Sequence, residues 1–180
     1  MLLDNLSEQA RKATLKGFSE RFTGIYLLGN IPESHAGGFA TRVGAPSNQD
    51  LINALRSNGN DSGPFLMRVE KSERNTWKSH ISVGRAKNND IVFRHDSVSK
   101  LHAHFYVRVT TKSGKNYERL VLCDVGSANG TLLNGRTLDV DEEVTVSVGD
   151  RFLFGEVQCD LLDPGSLYAS LRRLSARNGF

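Results

Sequence analysis

Long apolar stretches are missing from this sequence. Its apolar runs are a few residues long, as in Ile25-Tyr26-Leu27-Leu28, against about 20 for a membrane-spanning helix. The start, Met1-Leu2-Leu3-Asp4, carries an early acid and no apolar core of a signal segment. A cytoplasmic protein with no membrane partner is therefore expected. Cysteine is scarce. Cys123 and Cys159 are the two present, both in apolar, strand-like runs. They read as small core residues; a disulfide requires their strands to be neighbours, and two distant cysteines do not make a zinc site. Charge of one sign is also lacking. The chain of 180 residues has 23 basic and 20 acidic side chains, a net charge of +3. That excess is too small to argue for nucleic acid. Catalytic signatures are absent too: no phosphate-binding Gly-rich loop with its Lys-Ser/Thr, no Gly-x-Ser-x-Gly and no His-Glu-x-x-His. No catalytic residue, metal or cofactor is expected. His102 and His104 are two apart, but no spacing supplies further ligands.

What is present divides into three parts: 1–62, mixed and partly helical; 63–162, a run of short strands; and 163–180, a terminal helix. Residues 4–22 carry Leu3, Leu6, Ala10, Ala13 and Gly17 at helical spacing, which predicts one helix stopped by Gly24. Residues 29–46 read as loop on their glycines and prolines. Ser47 and Asp50 have capping-box spacing ahead of Leu51, Ile52 and Leu55, which predicts a second helix ending at Asn58-Gly59. In the last part Leu167, Leu171 and Leu174 recur at helical spacing, with Arg172, Arg173 and Arg177 towards the C-terminal end. That helix is expected to pack on the sandwich and cover an edge.

The middle part changes period. Ala103, Phe105, Val107 and Val109 alternate with polar or exposed positions, as do Val144, Val146 and Val148, and Val157, Cys159 and Leu161. Alternation gives strands with one buried face. Further strands are expected at 65–71, 79–84, 90–93, 119–125, 131–134 and 151–155. Nine or so short strands separated by Asn-Gly, Ser-Gly and Gly-Asp turns indicate an all-β sandwich or barrel.

Three loops in this region hold the chemistry. They are 84–90 (Gly-Arg-Ala-Lys-Asn-Asn-Asp), 96–102 (Asp-Ser-Val-Ser-Lys-Leu-His) and 124–131 (Asp-Val-Gly-Ser-Ala-Asn-Gly-Thr). Together they offer a guanidinium, ammonium groups, hydroxyls, a side-chain amide and glycine-freed N–H groups. That set suits a phosphate: arginine holds two of its oxygens at once, lysine adds a point charge, and hydroxyls and amides satisfy the remaining lone pairs.

Gly84-Arg85, Ser99-x-x-His102, Ser127-x-Asn129-Gly130-Thr131 and Asn134-Gly135 resemble, in order, the signature of the forkhead-associated (FHA) family. The resemblance covers roughly residues 65–162. It implies a β-sandwich of about eleven strands, here with a helical N-terminal extension and a C-terminal helix, binding phosphothreonine peptides through loops at one end. By the same resemblance Arg85 contacts the phosphate, Ser99 gives it a hydroxyl hydrogen bond, Lys100 is a second cation, and Asn129 bonds the peptide main chain. His102 braces the second loop, Gly84 and Gly130 permit the loop backbone, and Ser127 and Thr131 are structural. Ala128 departs from the pattern, where a hydroxyl or longer polar side chain is common; only its backbone N–H is expected to contribute. The implied role is a non-enzymatic adaptor that recognises a phosphothreonine-containing protein in a Ser/Thr kinase pathway. The alternative is a phospho-independent interaction or structural module using the extension or the sheet faces.

Overall fold

The structure, a computed structural model, describes residues 3–33 and 62–177. The helix expected at 47–58 lies outside the described residues, as do residues 34–46 of the expected loop. Among the described residues, eleven strands form two sheets. The first sheet contains β1 (Tyr26–Ile31), β2 (Gly63–Arg68), β7 (Thr131–Leu133), β8 (Arg136–Thr137), β10 (Arg151–Phe154) and β11 (Val157–Leu162), in the order β2-β1-β11-β10-β7-β8. The second contains β3 (Ile81–Gly84), β4 (Ile91–Val92), β5 (Ala103–Lys112), β6 (Lys115–Asp124) and β9 (Glu143–Val146), in the order β4-β3-β5-β6-β9. Pairing is antiparallel except for the short β3–β4 rung.

Between the sheets lies one core. Leu27, Phe105, Leu122, Phe152, Phe154 and Leu161 are all fully buried there. Phe105 meets Phe152 and Phe154 edge-on at centroid distances of 5.7 and 6.3 Å. Each large apolar side chain so buried stabilises the fold by about 1.5–3 kcal/mol relative to exposure.

A second apolar cluster covers the outer side of the first sheet. Leu6 of α1 (Leu3–Lys12), Phe18 of α2 (Leu15–Arg21), and Leu167 and Leu171 of α3 (Pro164–Arg177) pack there with Tyr26, Leu28 and Leu162. The Tyr168 hydroxyl donates to Ala13 O at 3.0 Å, tying α3 to the end of α1. Helices, first sheet and second sheet thus form three layers.

Two elements differ from the expectation. The helix expected over 4–22 is two helices. Thr14 adopts an extended conformation (φ −76°, ψ 159°), and its hydroxyl accepts from Gly17 N–H as the N-cap of α2. A β-branched hydroxyl residue at that point gains more as a cap than in a helix interior. Strand β1 lies in the segment read as an N-terminal extension, yet it is hydrogen-bonded between β2 and β11. Its side chains are apolar on both faces, Leu27 towards the core between the sheets and Tyr26 and Leu28 towards the helices. No alternation marks such a strand. The two cysteines sit in different sheets as free, buried thiols.

Candidate functional site

The turns leaving β3, entering β5 and leaving β6 converge at one end of the sandwich. The first loop, 85–90, and the second, 93–102, are joined through their backbones. Arg85 N–H donates to Ser99 O at 2.8 Å and Ala86 N–H to Lys100 O at 3.1 Å. The Asn89 amide closes the same seam, donating to Ala86 O (2.9 Å) and Lys100 O (2.7 Å). Gly84 is required there by close approach. A Cβ on it would lie 2.5 Å from Lys100 O and 2.8 Å from Asn89 Nδ2.

The foot of the first loop is fixed by Asp90, whose side chain is fully buried. Its carboxylate accepts from Lys71 Nζ (2.7 Å), the Ser72 N–H and hydroxyl, the Asn75 amide, and the Ser82 N–H and hydroxyl. Burial pushes the Asp90 pKa up. The Lys71 ammonium and the Ser82 and Ser72 donors outweigh burial and hold the carboxyl well below its ordinary range.

The third loop, 125–130, is wrapped around Asp124. One carboxylate oxygen accepts from the N–H groups of Gly126 (2.9 Å) and Ser127 (2.8 Å). The other accepts from the hydroxyls of Ser127 (2.7 Å) and Thr131 (2.6 Å). Burial again raises the pKa. The donors of Ser127 and Thr131 more than offset it, so Asp124 stays ionised below the usual carboxylate range. Gly130 follows at φ +75°, in the left-handed region.

His102 joins the second and third loops from beneath. It is fully buried. Ser99 N–H donates to its Nδ1 at 3.1 Å, so the ring proton sits on Nε2, which is 3.1 Å from Gly130 O. Burial is the largest influence on this ring and lowers its pKa, against the Gly130 carbonyl and the Asp124 charge. The imidazole is a neutral brace.

Above this frame stand the polar groups that face solvent. Arg85 is exposed; its Nε donates to Val98 O at 3.1 Å, which orients the guanidinium. Lys100 is exposed beside it. Neither cation has an ion-pair partner among the described residues. The Ser99 hydroxyl oxygen accepts from Ala128 N–H at 2.9 Å. With that lone pair occupied, the serine O–H is left to donate outward. The Ala128 N–H, expected to face a ligand, is thus spent inside the site, where it orients Ser99. Asn129 is exposed, and its amide donates to Ser97 O at 2.8 Å, which leaves the side-chain carbonyl outward. The structure therefore gathers Arg85, Ser99, Lys100, Ala128 and Asn129 around one rim, with Gly84, His102, Ser127, Gly130 and Thr131 in the frame below.

Sequence reading assigned no role to Asp124, Asn89 or Asp90. Asp124 was legible, because Asp-x-Gly-Ser is the spacing of a side chain that caps its own turn. Asn89 and Asp90 read from sequence only as turn residues; the bonds from Asn89 to Lys100 O and from Lys71 and Ser72 to Asp90 join segments distant in sequence, which no local pattern marks.

Residues 81–155 match the family described as FHA domain. An FHA domain-containing protein of Arabidopsis thaliana is 37% identical over 79 residues, which cover 43% of this chain and 18% of the relative's length. Among solved structures, the FHA domain of the CT664 protein from Chlamydia trachomatis is 18% identical, with a TM-score of 0.42, over 78% of this chain and 98% of that one. The MEK1 FHA domain in complex with a HOP1 phosphothreonine peptide is 20% identical, with a TM-score of 0.43, over 55% of this chain and 88% of that one. The yeast splicing factor Pml1 is 17% identical, with a TM-score of 0.49, over 77% of this chain and 79% of that one. The stretch that matches the FHA domain model runs from β3 to β10 and holds all three loops of the rim.

Proposed function

We propose that the chain is a phosphothreonine-peptide reader, an adaptor that docks a protein already phosphorylated by a Ser/Thr kinase. The observation that carries this is the rim itself. Two exposed cations without counter-ions among the described residues, Arg85 and Lys100, flank a serine whose hydroxyl is held by Ala128 N–H with its proton free. A phosphate dianion supplies acceptor oxygens for the terminal Arg85 N–H groups, the Lys100 ammonium and the Ser99 O–H, and charge-assisted bonds of this kind are the strong ones. Asn129, anchored through its NH2 to Ser97 O, presents a carbonyl to a peptide N–H beside the phosphothreonine. The rim performs recognition without bond making. Its imidazole is buried and neutral, and its carboxylate is saturated with donors.

Ala128 supplies no side-chain contact. One neutral hydrogen bond is worth about 0.5–1.5 kcal/mol, so this reader is expected to bind more weakly than one with a hydroxyl there.

The test is a peptide library read by fluorescence anisotropy, with each phosphothreonine peptide beside its phosphoserine and unphosphorylated forms. Binding confined to phosphothreonine members supports the reading. Equal binding of unphosphorylated peptides favours a phospho-independent module and overturns it.

A further inference from the structure

Strands β5 and β6 outrun the sheet that holds them. β3 pairs with β5 only as far as Ile81↔Phe105, and β9 pairs with β6 only over Leu120–Cys123. Beyond those rungs, residues 107–112 and 115–119 pair with each other, and nearly all are exposed. The ribbon turns at Ser113-Gly114, both at positive φ (49° and 73°), the geometry of a tight hairpin. β5 begins beside the second loop of the rim, so the turn lies at the other end of the sandwich, about 30 Å away at a strand rise of about 3.4 Å per residue. A short peptide on the rim does not reach it.

One face of the ribbon has an unusual charge pattern. The register sets Arg108 directly opposite Arg119 and Lys112 directly opposite Lys115, with Thr110 and Tyr117 between them. Like charges facing each other across strands are destabilising. Glu143 pairs with Arg108, which also donates to the Tyr106 hydroxyl. Arg119, Lys112 and Lys115 have no ion pair among the described residues, and Tyr117 is 48% exposed beside them. A ribbon needing only solubility is served by mixed charges. This one concentrates cations where they oppose its own folding.

We propose that the β5–β6 ribbon is a duplex-DNA-binding arm that enters the major groove, with Arg119, Lys112 and Lys115 on the phosphates. The net charge of the chain is modest, yet three cations with no ion pair among the described residues share one protruding face, and the acid of the ribbon, Glu118, stands on the opposite face across from Val109. Shape selects the occupant. The major groove of B-form DNA, about 12 Å wide, admits a two-stranded ribbon, whereas the major groove of duplex RNA is too narrow and deep. A ribbon exposed on both faces fits between the walls of a groove; an acidic protein surface needs only one exposed side.

The experiment uses the full chain and a fluorescein-labelled DNA duplex of about 20 base pairs, with duplex RNA and a poly-glutamate peptide as alternative ligands. Contact with three phosphates predicts that affinity falls about 40-fold between about 50 and 200 mM salt. The triple variant Lys112→Gln, Lys115→Gln, Arg119→Gln is expected to lose most of that dependence while its circular dichroism spectrum stays that of wild type. The salt dependence of the wild type stands as a second measurement should the variant misfold. Duplex binding with no salt dependence, or equal binding by the triple variant, overturns the proposal. So does a preference for RNA or poly-glutamate over DNA.

Discussion

A neutral His102 in the middle of the loop frame has a thermodynamic signature. Its folded pKa lies below the ordinary histidine value, chiefly through burial, while the unfolded chain binds a proton near about 6.5. Below that pH the unfolded state takes up a proton that the folded state resists, so stability is full above about pH 6.5 and declines as pH falls. Urea midpoints are expected to be lower at pH 5.5 than at 7.5. His104 is shifted in the same direction, so the measurement belongs in a His104→Gln background; a flat profile there contradicts a neutral His102. Asp124 and Asp90 act in the next window. Both carboxyls are held below their ordinary range, and their contribution is lost as pH falls from about 4 through their folded values. Asp124→Asn exchanges an acceptor of four hydrogen bonds for a group with one acceptor oxygen, leaving buried donors unmatched. It is expected to destabilise by about 2–3 kcal/mol, read by urea unfolding at pH 7. An unchanged midpoint contradicts the role given to this carboxylate.

At the scale of elements, the rim depends on two loops approaching within the radius of a methyl group. Gly84→Ala puts a Cβ against Lys100 O and Asn89 Nδ2, and overpacking of this kind costs about 1–3 kcal/mol. The variant is expected to show a lower melting temperature and phosphopeptide affinity reduced about tenfold or more; wild-type affinity contradicts the close-approach argument. Elements with one buried face were the ones the sequence displayed. Ala103 and Phe105 alternate with their neighbours because the start of β5 has core on one side only, and the same holds for Val157 to Leu161 of β11; Val107 and Val109 continue the pattern but are exposed, which corrects the expectation of a buried face along the whole strand. β1 shows in the sequence only as a bare apolar run because both of its faces are covered, one by the core and one by the helices. β8, Arg136–Thr137, is two exposed residues and leaves no pattern. The motif residues of the rim were legible as an ordered set; the seam made by Asn89 and the knot under Asp90 depend on tertiary proximity and were not.

For the whole molecule, the layering separates stability from recognition. Leu171 is fully buried in the helical cluster outside the first sheet, whereas Arg85, Ser99 and Asn129 stand on loops at the end of the sandwich. Leu171→Ala is expected to destabilise by about 2–4 kcal/mol and to leave phosphopeptide affinity unchanged well below the melting point. Loss of binding by folded Leu171→Ala protein contradicts that separation. The helices, the sheet they cover and the loop end thus carry different burdens, and the protruding ribbon marks a further end of the same body.

The most direct test of the account is isothermal titration of a phosphothreonine peptide into wild-type protein and into Arg85→Ala. A hydrogen bond to a charged partner is worth about 1.5–3 kcal/mol, which corresponds to roughly 10- to 150-fold in affinity. The account predicts a loss in that range with the fold intact, and no binding of the unphosphorylated peptide to either protein. Equal affinity of wild type and Arg85→Ala for the phosphopeptide would contradict it.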